Sequence, residues 1–383
     1  MAKKIILLTL QTFSAMGGIQ KMARTMAHSL QHISNINHWK FKALSLYDTN
    51  HDLLPQYIDA ENFKGYKQNR LRFIFEALTL TRNNDVLILT HINFAVIGLL
   101  AKLIRPKCQL WLVAHGIEVW RPLKYNKKKL LRHCDKILCV SQFTLDKMVE
   151  LHNAEPGKLV VLNNAIDSFM KIPDSFEKPK HLLSRYHLSA HAPVVFTLTR
   201  LASTEKYKGY ENVIAAISKL KLQFPDIKYI LSGKYDRAEE TRVRSLIAKH
   251  NVNANVLLTG FVDEAELGDH FLLADLFVLP SKKEGFGIVF VEAQACGLPV
   301  LCGNADGSVD AVRNGELGKA IEPDDIEALE EAIAASLQHP LSVSQRKALQ
   351  QKSLHYFSEE AYITNLQKLL ADEITVSATH ING

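Results

Sequence analysis

Short apolar runs recur along the chain in two series, with amphipathic stretches between them. The first series is Ile5–Leu10, Phe41–Leu46, Val86–Thr90, Leu110–Val113, Ile137–Val140 and Val160–Leu162; the second is Val194–Thr199, Tyr229–Ser232, Val256–Thr259, Leu276–Leu279 and Val300–Cys302. Most are apolar at successive positions, the pattern of strands buried on both faces. Such strands alternating with helical segments predict an α/β protein built on doubly wound parallel sheets. Pro173, Pro179 and Pro193 interrupt a polar connection within Ser168–Pro193 that has no strand pattern, which places a domain break there. The expected organisation is two domains, 1–175 and 176–355, and a closing segment, 356–383. Tyr362, Leu366 and Leu370 keep helical spacing within Phe357–Asp372, while Thr375–Gly383 reads as a frayed tail.

Composition agrees with two soluble cores. The chain has 383 residues, 47% hydrophobic and 22% charged, too many for one ordinary core. No run approaches the ~20 uncharged apolar residues of a membrane helix. The opening Ile5–Leu10 reads as a buried strand rather than a secretory signal, so a cytoplasmic address is expected. Cys108, Cys134, Cys139, Cys296 and Cys302 lie in or beside apolar runs without a C-x-x-C pair, as reduced core thiols would.

Charge divides the chain. Residues 1–180 hold 26 Lys/Arg against 14 Asp/Glu, a net of +12, and residues 181–383 hold 20 against 26, a net of −6. Arg121–Lys136 is the densest basic segment, and Lys64, Lys67, Arg70 and Arg72 are interleaved with Phe63, Tyr66, Leu71, Phe73, Ile74 and Phe75. Basic and apolar residues mixed in this way suit the anionic inner face of the cell membrane, and they equally suit a solvated helix face over a core stripe. Nucleic acid is not expected as a partner, because no recognised binding motif accompanies the charge.

The richest chemistry lies in Lys283-Glu284-Gly285-Phe286-Gly287-Ile288-Val289-Phe290-Val291-Glu292, after the run Asp275–Ser281. Gly285 and Gly287 let backbone N–H groups approach a ligand at the mouth of a helix starting near Ile288, with Phe286 between them. Val291, Ala295 and Leu298 keep helical spacing, so Glu292 lies about one turn in and Glu284 stays in the loop. One carboxylate can hold ribose hydroxyls and the other sugar hydroxyls; the plainer reading is a helix start with a favourable acid. A departing diphosphate gains negative charge, which fixed cations stabilise. Arg200 at a strand end and Lys208 before Gly209 at a helix start are placed for that work, with Lys206 a rival for the lysine role. No D-x-D with strand context and no cluster of metal-ligand spacing is present, so neither metal nor cofactor is expected.

These elements resemble, in type and order, the retaining GT-B glycosyltransferases of family four, whose signature is a glutamate, seven residues and a second glutamate. The resemblance covers most of the chain. Gly17-Gly18-Ile19-Gln20 stands where the family has its first glycine loop, His115-Gly116-Ile117-Glu118 follows a middle strand, and Asn163–Asp167 is similar to the family's Pro-Asn-Gly-x-Asp with two positions changed. Thr199-Arg200-Leu201 with Lys206-Tyr207-Lys208-Gly209 resembles the diphosphate clamp with two residues inserted. Gly303–Asp310 resembles the last glycine loop, with an aspartate where many members have glutamate.

The resemblance implies a GT-B fold, two Rossmann-like domains facing a central cleft, with a last helix crossing back to the first domain. It also implies a hexosyltransferase of polysaccharide biosynthesis that uses a nucleoside-diphosphate sugar, GDP-mannose or a UDP-sugar, and a glycan or polyprenyl-linked acceptor. The catalytic set it implies is His115, Arg200, Lys208 and Glu284, with no enzymic nucleophile. The donor-binding set adds Gly17, Gly18, Gly233, Phe261, Val262, Gly285, Phe286, Gly287, Ile288 and Glu292. His115 is read as orienting and stabilising the sugar, or as a structural hydrogen bonder; Gly17 and Gly18 as phosphate or acceptor contacts, or as a tight turn. Two other readings stay open: another GT-B enzyme such as a nucleotide-sugar 2-epimerase, and a non-catalytic sugar-nucleotide-binding protein.

Overall fold

Seven parallel strands form the first sheet: β1 Lys4–Thr9, β2 Lys40–Ser45, β3 Phe63–Gly65, β4 Val86–Leu89, β5 Gln109–Ala114, β6 Lys136–Cys139 and β7 Leu159–Val161. Six more form the second: β8 Val194–Leu198, β9 Lys228–Ser232, β10 Val256–Gly260, β11 Leu276–Leu279, β12 Val300–Gly303 and β13 Lys319–Ile321. These strands come from a computed structural model that describes the backbone of residues 2–379 and the side chains of residues 2–371. The chain divides into two compact units, one of Met1–Ser168 with Phe357–Gly383 and one of Phe169–Tyr356.

The first sheet has the order β3-β2-β1-β4-β5-β6-β7 and the second β10-β9-β8-β11-β12-β13. Each reverses direction beside its first strand, between β1 and β4 and between β8 and β11, and loops diverge at such a point to leave a crevice at the carboxyl ends of the strands. Ile6, Leu8, Leu87, Leu89, Leu110 and Leu112 build the first core, and Val195, Leu231, Val278 and Leu301 the second. Strands β3 and β13 escape the sequence reading because Phe63-Lys64-Gly65 and Lys319-Ala320-Ile321 leave no unbroken apolar run, whereas the equally short β7 is Leu159-Val160-Val161. All five cysteines are buried and free, and burial pushes the Cys108 thiol up to about 11 and that of Cys139 to about 12.

In the first unit the helix Gly18–Ile36 turns Met22, Met26, Leu30 and Ile33 inward at helical spacing. The last helix, Glu359–Thr379, packs against it and buries Tyr362, Leu366 and Leu370. No Gly or Pro interrupts Glu359–Thr379, so helix continues into the stretch read as a frayed tail; residues 380–383 of that tail lie outside the described residues. A polar cluster fixes the helix start. His28 Nδ1 lies 2.9 Å from each Glu359 oxygen, Ser29 Oγ donates to Oε1 at 2.6 Å, and Ser168 Oγ donates to Oε2. The Ile166 N–H also donates to the Phe357 carbonyl at 2.7 Å. Burial alone would raise the Glu359 carboxyl, but the His28, Ser168 and Ser29 hydrogen bonds hold it below its ordinary value, and the Glu359 bond raises His28.

Candidate active site

The second sheet sets Arg200 and Glu284 on either side of its reversal, Arg200 just beyond β8 and Glu284 in the loop beyond β11. Between them the turn Lys206–Lys208 is stitched to the β11 loop. The Lys282 N–H donates to the Tyr207 carbonyl at 2.9 Å, as does Ser281 Oγ at 3.3 Å. Gly209 follows at φ 76°, where a Cβ would stand 2.3 Å from the Pro280 carbonyl oxygen. Both the left-handed backbone and the close approach require glycine there.

This stitching brings Lys208 Nζ to 2.5 Å from Glu284 Oε1, with the two side chains 12% and 17% exposed. Burial alone would lower the Lys208 ammonium, yet the Glu284 carboxylate more than compensates and holds it above its ordinary value. The lysine therefore stays charged at a place where an isolated one would tend to lose its proton. Lys206 is exposed, so of the two candidates Lys208 reaches the β11 loop. Arg200 is 70% exposed and pairs with the nearly buried Glu205. These charges surround Tyr207: burial raises its phenol, Glu205 and Glu284 add to the rise, and Lys208 and Arg200 oppose it. Two cations and two carboxylates thus share one locality, which helix Tyr210–Leu220 leaves from Gly209.

Gly285 and Phe286 lead into helix Ile288–Ala295, which Gly287 caps in the left-handed conformation. Glu292 lies in its second turn, 2% exposed, and Phe286 is buried at 1%. Asp306, which sequence reasoning missed, anchors the loop. It is 1% exposed, accepts the Glu284 N–H at 2.6 Å and accepts the Ser308 N–H at 2.9 Å, while the Gly307 N–H returns to the Glu284 carbonyl at 2.8 Å. The Asp-Gly-Ser turn signature was the available signal for it. At the other edge, the Gly233 N–H is spent on the Gly260 carbonyl at 2.7 Å, and a Cβ would meet the Thr199 oxygen at 1.7 Å. Gly233 thus serves close packing of β8 against β9. Phe261 presents a ring that is 55% exposed, and Val262 beside it is 9% exposed.

In the first unit, Gly17 and Gly18 are exposed at the start of helix Gly18–Ile36, and the Gly17 carbonyl accepts the Lys21 N–H at 2.9 Å. The loop before them hangs on Asp48, a second residue that sequence reasoning missed and one that carried no sequence signal. This fully buried carboxylate accepts the backbone N–H groups of Thr12 and Ser14 at 2.7 and 2.9 Å and hydroxyls from Ser14 and Ser45 at 2.5 and 2.6 Å. His115 Nε2 donates to the Thr90 carbonyl at 2.9 Å, and its backbone N–H donates to Glu118 at 2.6 Å. Burial lowers its pKa, with Glu118 opposing, so the ring is neutral near pH 7 and offers Nδ1 as an acceptor. Hydrogen bonding, rather than positive charge, is what this ring can give a sugar.

Residues 190–362 match the family described as "Glycosyl transferases group 1", and residues 49–168 match "Glycosyltransferase Family 4". The chain belongs to the group 1, family four glycosyltransferases. It is 29% identical over 237 residues to the "GDP-mannose-dependent alpha-(1-6)-phosphatidylinositol monomannoside mannosyltransferase" of Mycolicibacterium smegmatis, covering 59% of this chain and 60% of that one. It is 27% identical over 232 residues to the glycogen synthase of Mycobacterium tuberculosis, covering 61% and 50%. The match thus spans between half and three fifths of these relatives. Among solved structures, Anabaena Alr3699/HepE in complex with UDP and glucose superposes with a TM-score of 0.76 at 18% identity, over 96% of this chain and 100% of that one. The fold of this glycosyltransferase is GT-B: two parallel Rossmann-like sheets, with the last helix returning to the first unit.

Proposed function

We propose that this family-four glycosyltransferase is a retaining enzyme. It moves a hexose from a nucleoside-diphosphate sugar, GDP-mannose first among the donors, to a glycan or polyprenyl-linked acceptor, without a metal ion. The Lys208–Glu284 ion pair at the reversal of the second sheet carries this reading. Glu284 keeps Lys208 ionised in a nearly buried place, so a full positive charge with preorganised geometry can meet the departing diphosphate. Arg200 and the start of helix Tyr210–Leu220 add to it. The anomeric carbon–phosphate oxygen bond breaks, the acceptor oxygen bonds that carbon from the same face, and its proton passes to the departing phosphate oxygen. Glu284 then holds sugar hydroxyls, Glu292 the ribose hydroxyls, and Phe261 the base, while His115 accepts a sugar hydroxyl at Nδ1. The mannosyl choice rests on the Asp306-Gly307-Ser308-Val309-Asp310 variant of the last glycine loop, which resembles that of mannosyltransferases, with the Mycolicibacterium smegmatis mannosyltransferase in its support.

We further propose a peripheral place on an anionic membrane. No helix among the described residues is long and apolar enough to cross one. Leu71, Phe75 and Leu103 are 82%, 74% and 77% exposed, amid the basic residues of the first unit. The test of the donor is a thermal-shift series with GDP-mannose, UDP-glucose and UDP-N-acetylglucosamine, where a ligand at 100 times its Kd adds ~2.7 kcal/mol. GDP-mannose is expected to stabilise most and to be turned over in EDTA. A chain that none of them stabilises would remove the reading, and a UDP-sugar preference would replace the donor.

A further inference from the structure

Beyond the donor site, the first unit carries an open groove of about 600 Å³ with basic residues in its lining, at the carboxyl ends of β2 and β3, lined by residues of 49–51 and 64–76. Its charged lining is Lys64, Lys67, Arg72 and His51 against Glu76. Lys64 pairs with Glu76, which leaves Lys67 and Arg72 with no ion pair among the described residues. The buried Tyr66 hydroxyl lies beside them next to the Glu76 carboxylate; burial and that carboxylate raise its phenol well above the ordinary value. Lys67 in the wall and Gln68 after it hold left-handed backbones at φ 45° and 65°. That conformation is unfavourable for a non-glycine residue and persists where the surroundings impose it. Here they do: the Lys67 N–H donates to the Asp48 carbonyl at 2.9 Å, the Gln68 N–H to the Leu46 carbonyl at 2.8 Å, and the Gly65 N–H to Asn50 at 2.8 Å.

The groove is also tied to the first glycine loop. Asp48 lends its main chain to the groove wall and its carboxylate to Thr12 and Ser14, ahead of Gly17-Gly18. A second cavity, about 310 Å³, opens on the other face of helix Arg70–Thr81. Leu46, Tyr47, Ile74, Phe94 and Ile97 line it with Arg70. A cationic groove and an apolar one thus flank a single helix.

We propose that the groove of Lys67 and Arg72 binds the phosphate or diphosphate of the acceptor, seating that acceptor beside the Gly17-Gly18 loop. This rests on the transferase reading above and adds the acceptor's chemistry to it: an anionic, phosphorylated molecule whose apolar part, if it has one, can lie in the neighbouring cavity. Two cations in one groove, neither held in an ion pair among the described residues, can give the charge-assisted bonds that a phosphate favours.

The test is calorimetric titration of the full chain with inorganic pyrophosphate, in the wild type, in Lys67→Ala/Arg72→Ala and in Arg200→Ala. Two classes of site are expected in the wild type. The double variant should weaken one of them by roughly tenfold or more and leave GDP and UDP binding unchanged, while Arg200→Ala should weaken the other. A pyrophosphate isotherm unchanged in Lys67→Ala/Arg72→Ala would overturn the groove assignment, even with nucleotide binding intact; absence of GDP and UDP binding to the wild type would instead strike the transferase reading. Phosphatidylcholine vesicles carrying polyprenyl diphosphate identify the source. Flotation lost in the double variant supports a lipid-borne acceptor, and an effect confined to inorganic pyrophosphate supports a soluble one. Equal retention on phosphatidylglycerol vesicles by wild type and variant, with no pyrophosphate effect, refutes the groove. Lys67→Arg/Arg72→Lys should restore binding if charge in this place is the determinant.

Discussion

Lys208 Nζ stands 2.5 Å from Glu284 Oε1 and so joins the loop after β8 to the loop after β11. Lys208→Ala removes a preorganised donor to developing charge and should lower turnover by about 10²–10³. Lys206→Ala, at an exposed position, should leave turnover close to wild type. Initial rates with saturating donor check both, and equal losses in the two variants would reject Lys208 as the diphosphate cation.

The Asp306 carboxyl is pushed up to about 7, first by burial and then by Glu284, against the Ser308 and Glu284 N–H bonds. An unfolded chain releases this proton near 3.8 while the folded protein keeps it to about 7, so Asp306 costs stability progressively as pH rises between those values and fully above them. Asp306→Asn does not titrate. Its melting temperature relative to wild type should therefore climb from pH 5 to pH 8, and parallel profiles would contradict the assignment.

His28 and Glu359 place a second titration at the last helix. His28 is raised above 6.5, so its contribution is complete below 6.5 and lost as pH rises through the folded value; Glu359 is lowered from 4.5, so its contribution is present above 4.5 and lost as pH falls through the folded value. Helix docking should be firmest between those limits. Hydrogen exchange over residues 359–371, corrected for intrinsic rates, should be faster at pH 8 than at pH 6 in the wild type, and His28→Ala should abolish that difference.

Membrane placement is testable through Lys127, Lys128 and Lys129 on helix Tyr125–His133. At ~1 kcal/mol per basic residue near an anionic surface, changing all three to Glu should end sedimentation with phosphatidylglycerol vesicles at low salt. Salt that shortens the ~10 Å screening length should release the wild type in the same way. Donor hydrolysis should survive the change. Equal binding to neutral and anionic vesicles would mark these lysines as a solvated face.

Much of this was readable from sequence because strands buried on both faces leave unbroken apolar runs. Eleven such runs located both sheets, and their reversal points follow from the order in which β1 and β4, or β8 and β11, are joined. Lys208 and Glu284 were readable for another reason: glycines beside them mark loops at strand ends. The groove of Lys67 and Arg72 was not. Its residues looked like part of a basic helix face, because Phe63-Lys64-Gly65 leaves no unbroken apolar run and the left-handed turn at Lys67-Gln68 uses no glycine. Asp48 and Asp306 act by accepting main-chain N–H groups brought close by tertiary structure; the Asp306-Gly307-Ser308 turn marks only the local bond to Ser308, and nothing beside Asp48 announces its role.

The hydrogen bond from Ile166 to Phe357 sits where the chain leaves the first unit and where it comes back. The second unit is therefore a continuous insertion whose two ends are held together. During synthesis residues 169–356 are all made before the first unit has its last helix, so the surface that Tyr362, Leu366 and Leu370 will cover stays open until that helix is available. The unit made first is the one completed last, and truncation before Glu359 should expose it to chaperones and proteases.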